Sequence, residues 1–132
     1  MLDGSRVAAL VTDPSQPDSP IIYANKTFET MTGYTISETL GKNCRFSQGK
    51  DTVPRSIKEI RDAIHNQQPI TKILKNYRKD GSLFWNRLHI EPLQIEDRLF
   101  FIGTQTNVSV EYRQRENFLI KRMKSNNTCS LL

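Results

Sequence analysis

Cysteine is scarce in this sequence. Its 132 residues hold only two, Cys44 and Cys129, far apart and without a pairing pattern. That excludes a disulfide framework and fits a reducing, cytoplasmic setting. No apolar run approaches the roughly 18 residues that would indicate a membrane span. Met1-Leu2-Asp3-Gly4-Ser5 lacks a basic stretch followed by an apolar one, so no export leader is expected. Internal repeats are missing too. Acidic residues are outnumbered 14 to 19 by Lys and Arg, for a formal net charge of +5. The cations gather in two groups: Arg45, Lys50, Arg55, Lys58 and Arg61 in mid-chain, and Arg113, Arg115, Lys121, Arg122 and Lys124 near the end. Neither group has the interleaved aromatics or recognition helix that nucleic-acid binding requires, so both read as solvated surface and no nucleic-acid partner is expected.

What is present suits one domain with one core, since 36% of the residues are hydrophobic and 25% charged. Residues 6–13 carry the apolar content of a first strand, broken at Asp13-Pro14, and residues 21–24 form a short second one. Asn25 is placed to cap a short helix containing Phe28 and Met31, and Ser37 to cap another turn that stops at Gly41. From Val53 to His65, Val53, Ile57, Ile60 and Ile64 recur at helical spacing as a single apolar stripe, with Pro54 suited to the first turn. The period then changes to that of strands over 70–77, 83–93 and 98–106. Asp80-Gly81 and Glu96-Asp97 serve as turn signals. Ser109 is placed to cap a last helix over 110–124, and the polar residues 125–132 are expected to form a disordered tail. This order is α+β, most simply a five-stranded antiparallel sheet with helices covering one face, plus a C-terminal helix.

Strand alternation places three carboxamides on inward faces. Asn86 shares a face with Phe84, Leu88, Ile90 and Pro92; Asn76 shares one with Ile70 and Leu74; Gln105 shares one with Leu99, Phe101 and Gly103. An unpaired buried amide costs roughly 1–3 kcal/mol, so each needs a partner. Either the amides satisfy one another, or they face the hydrogen-bonding edge of a planar ligand. Gly103 suits a place where a flat ring approaches the backbone.

The stretch Gly41-Lys42-Asn43-Cys44-Arg45-Phe46-Ser47-Gln48-Gly49 resembles the signature of the light-oxygen-voltage (LOV) photosensors of the PAS superfamily, Gly-x-Asn-Cys-Arg-Phe-Leu-Gln-Gly. The resemblance extends over residues 7–107. It takes in Thr12-Asp13-Pro14, Ile60-Arg61-Asp62-Ala63, Asn76-Tyr77, Lys79-Asp80-Gly81, Phe84-Trp85-Asn86 and Phe101-Ile102-Gly103-x-Gln105.

The resemblance implies a PAS fold that holds flavin mononucleotide (FMN) non-covalently. Under blue light the cysteine sulfur adds reversibly to the flavin C4a carbon. Cys44 then corresponds to the photoactive cysteine. Asn76 and Asn86 would hold the pyrimidine edge, Gln105 the O4 and N5 side, Asn43 and Gln48 the ribityl chain and ring, and Arg45 and Arg61 the phosphate. Thr12, Ile57, Ile60, Leu88, Ile90, Phe101 and Gly103 would complete the wall. Gly49 to Arg61 lacks the insertion of FAD-binding relatives, which favours FMN. Ser47 departs from the family's Leu, and Ser19 from an Asn in some relatives. The implied organisation is an N-terminal extension (1–5), a sensor core (6–107), a signalling or dimerising helix (108–124) and the tail. No enzymatic role is expected, because no nicotinamide motif or effector pattern is seen. Cys129-Ser130-Leu131-Leu132 is a poor match to a prenylation signal, because Ser130 is not aliphatic.

Overall fold

The computed structural model describes residues 7–130, and the side chains of residues 7–124. The expected N-terminal extension and the side chain of Cys129 lie outside the described residues.

Five strands, β1 (Ala8–Thr12), β2 (Ile21–Ala24), β3 (Ile70–Tyr77), β4 (Leu83–Ile95) and β5 (Arg98–Asn107), form one sheet in the order β2-β1-β5-β4-β3. Every neighbouring pair is antiparallel. Between β2 and β3 run α1 (Lys26–Thr32), α2 (Ile36–Thr39), a 3-10 turn over Cys44–Ser47, and α3 (Pro54–His65). The last element is α4 (Ser109–Ser130).

Side-chain chemistry sets the boundaries. The Asn25 side chain caps α1 by accepting from the Phe28 amide at 3.0 Å, and also accepts from the Ala9 amide at 2.9 Å, so one residue starts the helix and ties it to β1. Gly33, at φ 80°, closes α1 in a left-handed conformation that a Cβ disfavours. Thr35 rather than Ser37 caps α2, through a reciprocal capping box with Glu38. The sequence signal was there: Thr35 stands three residues before Glu38.

Ala8, Leu10, Ile21, Ala24 and Phe28 form the core at the β1–β2 end, with Met31, Ile36 and Phe46 packed against it. Fully burying a side chain such as Phe28 or Ile21 stabilises the fold by about 1.5–3 kcal/mol. α3 differs. It is strongly amphipathic in sequence, yet none of its residues is fully buried.

The C-terminal helix corrects the expected tail. Its backbone continues through Ser130, six residues past the expected end at Lys124. Residues 125–130 contain no Gly or Pro, so no local signal ends the helix there.

Candidate functional site

The apolar stripe of α3 lines a cavity of about 290 Å³ between that helix, the 3-10 turn and the inward face of β3, β4 and β5. Ile57, Ile60 and Ile64 form one wall, and Leu74, Leu88, Ile90 and Phe101 stand on the sheet. All fifteen residues singled out from the sequence lie on this wall: Cys44 with Thr12, Asn43, Arg45, Gln48, Ile57, Ile60, Arg61, Asn76, Asn86, Leu88, Ile90, Phe101, Gly103 and Gln105. A Cβ added at Gly103 would lie 3.4 Å from Leu10 Cδ1 and 3.6 Å from Leu88 Cδ1. Neighbouring side chains could accommodate that, so the methyl would chiefly occupy cavity space.

Cys44 is held from both sides. Asn43 caps its turn, accepting from the Arg45 amide at 3.0 Å and donating through Nδ2 to the Asp18 carbonyl at 2.7 Å. Phe46 anchors the same turn in the core, edge-on to Tyr34 at 4.9 Å and 6.5 Å from Phe28. By accessible area Cys44 is exposed, yet burial pushes its thiol up to about 12. The two descriptions meet in the cavity, whose wall is reachable by small molecules but flanked by protein. The cysteine is thus a neutral thiol across the physiological range, not a thiolate nucleophile.

The amides satisfy one another in part. Asn86 Nδ2 donates to Asn76 Oδ1 at 2.9 Å and to Gln105 Oε1 at 3.0 Å, which joins three strands in one row. Asn76, Asn86 and Gln105 are all buried. With both its N–H groups committed, Asn86 keeps a carbonyl oxygen that is buried and, among the described residues, without a partner. Native proteins rarely bury such an acceptor without a use for it. Of the two readings left open by the sequence, the structure shows the first: the amides form a network, and that network leaves the Asn86 carbonyl oxygen buried without a partner among the described residues.

The opposite end is cationic. Arg45 forks onto Asp18, with Nη1 2.7 Å from Oδ1 and Nη2 2.5 Å from Oδ2, and this pair holds the Asp18 carboxyl below its usual range. Arg61 lines the cavity and has no ion-pair partner among the described residues. Beside it, Tyr77 clamps the loop that follows the 3-10 turn. Its hydroxyl accepts from the Asp51 amide at 3.0 Å, and its ring lies where a Gly49 Cβ would stand. Thr52 adds a second clamp, donating to the Lys75 carbonyl at 2.6 Å.

Sequence reasoning did not place Leu10, Phe28, Phe46, Ile64 or Leu74 on the cavity wall. Leu10, Phe28 and Phe46 read as ordinary core, whereas Ile64 on the α3 stripe and Leu74 on the strand face of Asn76 had usable signals. Ser19 and Ser47, seen only as departures from a motif, also line the cavity.

These features can be set beside known proteins. A family model described as a PAS domain matches residues 7–110. A blue-light photoreceptor of Listeria monocytogenes is 46% identical over 112 residues, which cover 84% of this chain and 44% of that protein. The solved LOV domain of the Erythrobacter litoralis EL346 blue-light-activated histidine kinase is 39% identical, with a TM-score of 0.76 over 80% of this chain and 98% of that one. A solved structure from work on a flavin analogue and the light-oxygen-voltage domain mechanism is 40% identical, with a TM-score of 0.79 over 94% and 92% of the two chains. The chain belongs to the PAS superfamily and, within it, is a LOV domain. It spans less than half the length of the curated photoreceptor and kinase relatives it matches.

Proposed function

We propose that this domain senses blue light by binding FMN in the cavity and reacting with it through Cys44. The observation that carries the reading is the Asn86 carbonyl oxygen, buried and, among the described residues, unpartnered at the centre of the amide row. It asks for an N–H donor, and a flavin pyrimidine edge supplies one beside acceptors for amide N–H groups. The apolar stripes of α3 and β4 suit the flat faces of the ring, and Gly103 gives the backbone clearance beneath it.

In this reading Asn76 and Asn86 hold the pyrimidine edge and Gln105 meets the O4 and N5 side. Asn43 and Gln48 meet the ribityl chain. Arg45 and Arg61 hold the phosphate, whose oxygens match the guanidinium fork. The flavin supplies light absorption and an excited state reactive toward thiols, while the protein supplies position and electrostatics. Cys44 would hold a neutral thiol against the ring, supplying the sulfur and the proton that the flavin's reversible photochemistry would take up and return. Its high pKa suits this role, because the proton has to travel with the thiol.

The output path begins at Gln105, two residues before the end of β5. The segment after β5 is tied to β4 by a hydrogen bond from the Val108 amide to the Trp85 carbonyl at 2.9 Å and by one from the Trp85 amide to Ser109 Oγ at 2.9 Å. Tyr112 of α4 stacks on the Trp85 ring at 4.6 Å. We infer that a change at Gln105 alters this attachment, and that Phe118, Leu119, Ile120 and Met123, exposed on α4, then engage a second copy of the chain. The protein supplied with flavin should show a structured absorption band in the blue that bleaches on illumination and recovers in the dark. A protein that stays colourless, or binds flavin without bleaching, contradicts the proposal.

A further inference from the structure

An open recess adjoins the cavity at its cationic end and shares Gln48, Ile57 and Arg61 with it. Its other lining includes Lys58, which takes no part in the cavity wall. On a helix, Lys58 and Arg61 are three residues apart and therefore neighbours, which puts two cations over one opening. The ammonium of Lys58 rests 2.9 Å from Asp62 in a pair whose side chains are 74% and 57% exposed. Such an exposed i,i+4 pair is weak and is readily exchanged for a stronger anion. The other acidic residue of this stretch, Glu59, is occupied by Arg55 and Lys72.

We propose that Lys58 is a third phosphate-binding cation, acting with Arg45 and Arg61, and that it makes the site select phosphorylated over unphosphorylated flavin. The assignment rests on the FMN reading of the cavity and goes beyond it, since it adds a residue of the recess to the site. An ammonium on a flexible stem suits the outer oxygens of a dianion, complementing the planar forks of the two arginines. Asp62 competes for the same ammonium and so works against the phosphate.

The test compares FMN and riboflavin as ligands of the flavin-free protein, with affinity read from quenching of flavin fluorescence. Lys58→Gln should weaken FMN about 3- to 10-fold, the scale of one charge-assisted contact near a surface, and leave riboflavin within about twofold. Asp62→Asn should tighten FMN and leave riboflavin unchanged. Lys26→Gln removes the same charge from α1, which does not line the recess, and should alter neither. Unchanged riboflavin binding also reports that each variant is folded. Equal loss of both flavins in Lys58→Gln, or an FMN affinity moved as much by Lys26→Gln, overturns the assignment. A wild-type protein that binds riboflavin as tightly as FMN would instead remove the FMN reading beneath it.

Discussion

Ser47 stands three residues from Cys44 in the same 3-10 turn, where side chains at that spacing eclipse. Its hydroxyl donates to the Cys44 carbonyl at 3.3 Å, and both residues line the cavity. A small polar side chain there leaves room for water near the sulfur, and in the proposed photochemistry that water would carry the returning proton. Ser47→Leu should slow dark recovery of the flavin band about 3- to 10-fold, a barrier change of roughly 1 kcal/mol; unchanged or faster recovery would count against this role. Cys44 itself carries a pH signature. Its thiol is raised from an ordinary 9.0 to about 12, so the folded state favours the protonated form. The contribution is fully present below about pH 9 and is lost as pH rises through 12. In flavin-free protein, alkylation of Cys44 by iodoacetamide should have its pH midpoint well above 9, and a midpoint near the free-thiol value would refute that burial. Gly49 is a third sensitive residue: Gly49→Ala drives a methyl into the Tyr77 ring and should cost about 1–3 kcal/mol in denaturant unfolding, as overpacking does. The motif made Cys44, Asn43 and Arg45 legible in the sequence. The Arg45–Asp18 pair was not, because Asp18 lies 27 positions away in a turn at positive φ that no local pattern announces.

The strands and helices show why some boundaries are written locally and others are not. β3 runs over Ile70–Tyr77 as alternation and the Asp80-Gly81 turn indicate, while β4 extends two residues past Leu93 to meet the Glu96-Asp97 turn. Both turn residues have positive φ, 46° and 66°, the mirror-image geometry that matches strand twist but disfavours a Cβ. Asp97→Gly should therefore stabilise the domain by about 0.5–1 kcal/mol, measured as an upward shift in the denaturant midpoint at unchanged m-value. A lowered midpoint would show that the turn is not strained. Ser109 was expected to cap α4, yet its hydroxyl accepts from the Trp85 backbone instead. A cap and a tertiary tie use the same oxygen, and only the folded sheet brings Trp85 within reach. The outward position of Trp85 follows from its alternation with the buried Phe84 and Asn86, whereas its stacking on Tyr112 depends on the path of α4.

At the scale of the whole molecule, the core is divided between a packed cluster at the β1–β2 end and a cavity beneath α3. The α+β class, the number of strands and their antiparallel pairing were legible because hairpin signals and alternation are local. The strand order β2-β1-β5-β4-β3 brings β1 beside β5, a pairing between the two ends of the domain for which local patterning holds no signal. A ligand that completes such a core should stabilise it strongly. FMN at about 100 times its dissociation constant adds roughly 2.7 kcal/mol, so the melting temperature should rise by about 10 °C; an unchanged value would mean that the ligand does not join the core. On the same scale, light scattering after size-exclusion should detect association through α4 that differs between dark and illuminated protein, and an invariant monomer would dispose of that part of the proposal. Whether Cys44 reacts with a bound flavin is decided by the light-minus-dark absorption spectrum of the wild type beside Cys44→Ala. The wild type should lose its blue band reversibly, and Cys44→Ala should keep an intact band with durable flavin fluorescence and no adduct spectrum. Equal, reversible bleaching of both proteins would contradict it.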